Sequence, residues 1–461
     1  MKKRSVFFLF LCLALCLTPL LGMLVRPTTV STENRTLSAF PSLRTEDGGP
    51  NLGFFPAFEQ YFNEHFAFRN ELVYADSRLM GEVFGVSGVK SVIYGTDGWL
   101  YYASSLNDYL GLRRMSEREL FNTAHNLSLA ARFVQQRGAR FLLAIAPNKN
   151  TLYGEHMPAY DAFIVDPEHD ADRLAPLLRE LGVPEADLFG LFRAEDEILY
   201  LKRDSHWNGR GALLAYRRLM EGLGLPYDDY AGVPASRALD NDGDLNRMLY
   251  TLYGKKSADY HYEIPQLFSY AAPGASVEDG RIETSGGAGS ASLLMFRDSF
   301  GNTLIPLLAN QFERACFSKE TPCGLEALMD ACAPDAVIVE KVERNLSEYI
   351  TQPPVFSAPE AQLPEAAPIE GAPLPVRVAA ADSDSAYLRI SGELPEELVG
   401  VRTLIYLRVD GVCYETCHLG ENGFTACFKK DRMPGGPGEI EILLRDGELL
   451  RALRAAPEGT P

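Results

Sequence analysis

After Arg4 the chain has no run of basic residues, and 44 Lys+Arg against 62 Asp+Glu leave a formal net charge of −18. A nucleic-acid binder needs a basic face to neutralise phosphates, so no nucleic-acid partner is expected. Broad adhesion to a polyanion is disfavoured for the same reason, while a local basic cleft stays open. No two cysteines stand two residues apart in the zinc-binding manner, and neither a metal site nor a cofactor is expected. Cys12 and Cys16 lie in an apolar segment; Cys316, Cys323 and Cys332 form one group and Cys413, Cys417 and Cys427 another. Three in each group leave any disulfide pairing open. No internal repeat is visible.

What is present is the material of a folded protein. The 461 residues are 46% hydrophobic and 10% aromatic, enough for a sizeable core and two or three domains. Met1-Lys2-Lys3-Arg4 precede an uncharged run over residues 5–25, rich in Phe and Leu. At about 1.5 Å per residue such a run can cross a hydrocarbon core of roughly 30 Å. The positive-inside rule puts the Lys-Lys-Arg end in the cytoplasm and everything after residue 26 outside. Residues 1–26 therefore read as a cytoplasmic tip and signal anchor. The expected protein is single-pass in the cell membrane, with its bulk extracytoplasmic. A cleaved signal peptide is the rival reading, but no small-x-small cleavage site follows.

Seven prolines at 353, 354, 359, 364, 368, 373 and 375 mark residues 351–375 as an extended spacer. Before it, residues 27–350 alternate helical and strand patterns. Helices are expected at 117–137, 170–181, 209–223 and 300–312. Strands are expected at 141–145, 198–201, 293–296 and 336–340. This order implies an α/β fold, a parallel sheet with helices on both faces. After the spacer, residues 376–461 read as a small β-sandwich-like module. Its expected strands are at 386–390, 402–409, 412–419, 423–428 and 439–444, with turns at Asp410-Gly411 and Asp446-Gly447.

Two loops at expected strand ends carry the chemistry. One is Lys202-Arg203-Asp204-Ser205-His206-Trp207-Asn208; the other is Phe296-Arg297-Asp298-Ser299-Phe300-Gly301-Asn302. Ser299 stands where a strand turns into a helix, so free helix N–H groups could face an oxyanion there. Asp204 and His206 are close enough for the carboxylate to fix the imidazole tautomer and leave His206 to take the Ser299 proton. Each loop taken alone is as well explained blandly: Asp298-Ser299 as a helix cap, Asp204 and His206 as a polar turn. Their pairing on one sheet is what points to a Ser-His-Asp triad. Asn148 and Lys149, at the end of the 141–145 strand, could give a further oxyanion donor or grip substrate. Trp207 could stack on a sugar, or simply anchor its loop. Residues 340–344 read as a solvated turn, and His65, His125, His156, His169, His261 and His418 as structural or surface residues.

The sequence resembles the DHHW family, related to the SGNH-hydrolase-like periplasmic alginate O-acetyltransferases. The resemblance rests on Glu33-Asn34-Arg35-Thr36-Leu37 with Phe40-Pro41, on the Gly95 to Trp99 turn within residues 92–101, on Asp204-Ser205-His206-Trp207 and on Asp298-Ser299-Phe300. It implies an SGNH-like, flavodoxin-like fold, with Asp204, His206 and Ser299 as triad. As in that branch, Asp and His precede Ser. Arg297 departs from the SGNH pattern, which has Gly before Asp-Ser, and so touches the oxyanion or substrate side of the site. The implied activity is O-acetyl transfer to an extracytoplasmic polysaccharide through an acetyl-serine. A membrane-bound O-acyltransferase would then be the donor partner. The alternatives are a carbohydrate acetyl esterase with the same triad, or a non-catalytic glycan-binding or assembly protein of the cell envelope.

Overall fold

A computed structural model describes residues 2–23, 25, 37–45, 48–250, 252, 254–381, 386–433 and 436–458. The Glu33-Asn34-Arg35-Thr36 motif and the expected exit from the anchor at 26 lie outside the described residues. The apolar run is helical over Lys2–Gly22, with Pro19 inside. Three charges occupy its first turn, so its charge-free part rises only about 27 Å at about 1.5 Å per residue, against roughly 30 Å of hydrocarbon. Among the described residues no helix is long and apolar enough to cross a membrane. The spanning anchor expected from the sequence is therefore not seen.

In the first body the helices Phe54–His65 and Arg69–Phe84 lead into a hairpin of β1 (Val92–Tyr94) and β2 (Leu100–Tyr102). Its central sheet contains β3 (Arg140–Ala146) and β4 (Glu185–Ala186). A second hairpin, β5 (Ala235–Asn241) and β6 (Ser257–Tyr262), stands apart from that sheet. Then come β7 (Ser269–Tyr270), β8 (Arg281–Ser285), β9 (Ser292–Phe296), β10 (Arg314–Ser318) and β11 (Ala336–Val342). The sheet order is β4-β3-β11-β9-β10-β8-β7. β4, β3, β11, β9 and β10 run parallel, and β8 and β7 are antiparallel additions.

Side chains alternate across these strands into two cores, as a sheet covered on both faces requires. Leu142, Ala144 and Ala146 of β3 join Leu293, Met295 and Ile338 against the helix Gly209–Leu223. Phe141, Leu143 and Ile145 join Leu294, Phe296 and Val337 against the helices Glu117–Gln136 and Asp170–Glu180. Glu117–Gln136 starts at a capping box of Ser116 and Glu119, and Asn208 caps Gly209–Leu223 through Gly211 N–H. The expected strand at 198–201 is only an isolated bridge between Tyr200 and Trp207. The expected helix at 300–312 is a 3₁₀ turn, Phe300–Thr303, followed by the short helix Ile305–Ala309.

The second body begins with β12 (Ala367–Pro368), β13 (Leu374–Ala380) and β14 (Tyr387–Glu393). It continues with β15 (Leu404–Val409), β16 (Val412–Glu415), β17 (Cys417–Leu419), β18 (Gly423–Lys429), β19 (Ile440–Asp446) and β20 (Leu449–Pro457). The first half of β13 pairs with β20 and its second half with β14, so one strand joins two groups of strands. Val376, Ile390, Leu407, Phe424 and Ile442 from both groups share one core.

The proline segment is extended, but it does not span free space. Val355 N–H donates to Cys323 O, Ala358 N–H to Cys427 O and Ala361 N–H to Cys413 O, at 2.8–2.9 Å. Val355 and Phe356 are buried. The helix Glu117–Gln136 also meets the second body directly. Arg118 donates to the carbonyls of Val401, Thr403 and Glu421, and Asn126 takes both hydrogen-bonding groups of the His418 backbone. The described cysteines form no disulfide.

Candidate active site

The loop 198–208 folds back on itself: Leu201 N–H donates to His206 O and Asn208 N–H to Leu199 O. That fold puts both side chains of Asp204 and His206 on one side. Asp204 Oδ1 accepts from the His206 backbone N–H at 2.9 Å and lies 2.7 Å from His206 Nδ1. Its Oδ2 accepts from Asp244 N–H at 2.8 Å. Across the gap, His206 Nε2 is 2.8 Å from Ser299 Oγ. Burial disfavours the charge on Asp204, but the hydrogen bond and charge of His206 and the two backbone donors outweigh it. The carboxyl is held below the usual carboxylate range. Burial likewise works against a charged His206, yet Asp204, then Asp244 and Asp298, raise its pKa above the ordinary value. Such a chain fixes Nδ1–H toward Asp204 and leaves Nε2 to accept from Ser299.

Ser299 follows β9 at the carboxyl end of the sheet and precedes the 3₁₀ turn. Its neighbour Asp298 ties the turn down: Oδ1 accepts from Phe300 N–H at 2.8 Å and Oδ2 from Val342 N–H at 2.9 Å. The Asp298 N–H donates to Glu340, whose carboxyl burial and Asp298 push up. Of the free helix N–H groups expected around Ser299, that of Phe300 is thus already engaged. Residues 340–344 are not a solvated turn either. Glu340, Lys341 and Glu343 are buried, because β11 runs on to Val342 in the sheet interior, and Arg344 lies over the Phe300 ring.

The remaining expected site residues support the loops rather than face the gap. The Lys149 ammonium is buried and donates to the carbonyls of Leu100, Leu201, Lys202 and Asp204 at 2.7–3.0 Å; burial pushes its pKa down to about 7. It clamps the β1–β2 hairpin to the Asp204 loop. Asn148 donates to Asp108 and accepts from Arg344. Trp207 is buried edge-on to Phe300 with its N–H on Thr303, so no face is left for a sugar. Arg297 is turned away: its guanidinium donates to Asn302 and to the carbonyls of Val277, Asp279 and Asp298. It fills the place that glycine would leave empty by latching the 277–279 loop.

Sequence reasoning missed Asp244. Its Oδ2 stands 3.7 Å from His206 Nδ1, and its Oδ1 accepts from Ser205 N–H at 2.7 Å. Asp242-Gly243 announces a turn, but nothing local tells where that turn docks. Asp204, His206 and Asp244 are also near enough together to hold a cation, but Asp204 and Ser299 already occupy both imidazole nitrogens. A cavity of about 750 Å³ flanks the loop beyond Arg203, walled by Tyr94, Lys202, Arg237 and Tyr260 among others. Ser299 and His206 do not line it.

Residues 92–279 match the family described as "SGNH hydrolase-like domain, acetyltransferase AlgX". This stretch is SGNH-hydrolase-like. The resemblance read from the motifs is met here, since the SGNH-like stretch contains the Gly95 to Trp99 turn, Asp204 and His206; Ser299 lies beyond its end. The chain is 28% identical over 203 residues to the probable alginate O-acetylase AlgJ of Pseudomonas aeruginosa, covering 41% of this chain. It spans about half, 46%, of that curated relative. A solved DHHW family protein of Eubacterium siraeum is similar at a TM-score of 0.44 and 12% identity, over 56% of this chain and 93% of that one. Bacillus cereus PatB1 is similar at 0.44 and 18% identity, over 55% and 96%.

Proposed function

We propose that the protein transfers acetyl groups to an extracytoplasmic polysaccharide through an acetyl-Ser299 intermediate. The observation that carries this reading is the unbroken hydrogen-bonded line from Asp204 through His206 to Ser299 Oγ. His206 Nε2 takes the Ser299 proton as Oγ attacks the acetyl carbonyl carbon. The imidazolium then returns that proton to the departing donor group. In the second half a sugar hydroxyl attacks the acetyl-serine, gives its proton to His206 and leaves as the acetyl ester, and Ser299 regains its proton. Asp204 holds the tautomer and steadies the imidazolium.

The acceptor class follows the Pseudomonas aeruginosa relative, a probable alginate O-acetylase. The cavity beside the loop supports it, since its wall carries the aromatic ring of Tyr94 and the positive charges of Lys202 and Arg237. Acetyl-CoA is cytoplasmic, so the donor is a membrane-bound O-acyltransferase that passes the acetyl group outward. Residues 1–26 would keep the protein at that membrane, with residues 27–350 carrying the reaction. Residues 351–375 would join them to a β-module over 376–461.

The test pairs Ser299→Ala and His206→Ala. Polysaccharide acetylation in cells and acetate release from a chromogenic acetate are both scored. Loss of cellular acetylation in both variants supports the reading. Wild-type levels of both readouts in Ser299→Ala overturn it. Acetate release with no transfer to any glycan would make the protein an esterase.

A further inference from the structure

A second cluster of ionisable side chains lies away from Ser299. Asp108 sits in the short helix Leu106–Tyr109, His169 precedes the helix Asp170–Glu180, and Glu343 follows β11. One ligand atom from each lies within 4.8 Å of the others. His169 Nδ1 is 3.5 Å from Glu343 Oε1, and both atoms are buried without a hydrogen-bond partner. The Glu343 side chain has no exposed surface, so its free oxygen is a full desolvation cost with nothing set against it.

The surroundings do not supply the missing charge. Glu343 Oε2 accepts from Asn148 N–H at 2.8 Å and Thr151 Oγ at 2.7 Å, and Asp108 Oδ2 from Asn148 Nδ2 at 2.6 Å. All three donors are neutral. Arg344 acts on Asp108 from a distance. Arg114 is paired with Asp166 and Glu168, and Arg193 with Asp172. Asp170 is taken by Arg173 and Met115 N–H. Among the described residues neither Asp108 nor Glu343 has a Lys or Arg ion-pair partner. Burial, with the Asp170 charge beside it, raises Asp108 to about 6, and burial with the Asp108 charge raises Glu343 to about 8.

We propose that Asp108, His169 and Glu343 bind a divalent cation of the borderline class, with Zn²⁺ the best match to one imidazole and two carboxylates. At metal–ligand distances of about 2.1 Å a tetrahedral site needs ligand atoms about 3.4 Å apart, close to the His169–Glu343 separation. A small turn of Asp108 closes the third edge. The part-exposed His169 gives the ion a way in. The ion would fasten the end of β11 to the helices Leu106–Tyr109 and Asp170–Glu180, beside Asn148 and Arg344, and so stiffen the wall behind Phe300.

The test uses the full chain, stripped with a chelator, dialysed and then titrated with ZnCl₂. Elemental analysis should find one Zn²⁺ per chain, and the melting temperature should rise with zinc. His169→Ala, at a part-exposed position, should fold and lose at least tenfold in zinc affinity; Glu343→Gln should do the same. A wild-type chain that binds no zinc, equal zinc binding in both variants, or tighter binding of Ca²⁺ than of Zn²⁺ overturns the proposal. The first outcome would leave a proton shared between His169 and Glu343.

Discussion

His206 moves every proton in the proposed cycle, so its surroundings set the pH dependence. The base must be neutral, and its pKa stands above the ordinary value of about 6.5. Acylation should therefore rise with pH to a plateau, with its midpoint above that value. Asp204→Asn should move the midpoint down and slow the reaction by roughly 10³–10⁴-fold, read from a pH–rate profile. The stability signs are opposite for the two partners. The His206 contribution is complete below about pH 6.5 and is lost as pH rises through its folded value. The Asp204 contribution is present above about pH 3.9 and is lost as pH falls toward its depressed value. Lys149 makes a separate prediction. Lys149→Met removes a donor from four buried carbonyls, of which Leu201 O and Lys202 O keep a backbone N–H, and should cost about 3 kcal/mol in chemical denaturation.

At the scale of elements, what could be read from sequence was what local rules decide. The capped helix Glu117–Gln136 and the all-apolar β3 are cases where periodicity, cap and burial agree. Elements decided by partners at a distance were not legible. Residues 198–201 have a strand's composition, but their hydrogen bonds close a loop onto residues 206–208. The helix expected at 300–312 breaks because Pro306 starts a new one. β13 and β20, rich in Ala and Pro, draw their stability from ladders and show no alternation of their own. The Asp204 and Ser299 loops were legible as motifs, whereas Asp244 was not, because it arrives 40 residues later on a turn. Gly243 makes that arrival possible. Its φ is +66°, and a Cβ there would stand 2.1 Å from Arg203 O. Gly243→Ala should push the turn off Asp204, costing about 1–3 kcal/mol by denaturation and lowering the His206 pKa in an NMR titration.

At the scale of the molecule, the two bodies are joined by a polar seam that the proline pattern concealed. Prolines remove donors, but the intervening residues keep theirs and use them on both bodies, Val355 on Cys323 of the first and Ala358 and Ala361 on Cys427 and Cys413 of the second. The 353–358 stretch should accordingly resist limited proteolysis, and rapid cleavage there would contradict the packing. Within the seam the His125 and His418 rings stack at 4.5 Å. His125 donates to Thr416 O, and His418 is hydrogen-bonded to Asn122. Burial pushes His125 down to about 4 and pushes His418 well below the ordinary imidazole value. Unfolded or undocked chains therefore bind the extra protons, and acid loosens the seam. By linkage the His125 share alone is about 3 kcal/mol, lost between about pH 6.5 and 4. Hydrogen exchange at residues 416–418 should accelerate across that range; exchange unchanged by pH would contradict this view of the seam.

The most direct measurement of the central claim is mass spectrometry of the protein after brief exposure to an activated acetyl ester. The account predicts an added acetyl group on the peptide containing Ser299, absent from Ser299→Ala and strongly reduced in His206→Ala. Acetyl-CoA made in the cytoplasm is not the reagent here, so the ester is added to the purified chain. Acetylation spread over lysines with Ser299 unmodified, or the same acetyl-serine yield with His206 removed, would contradict the account.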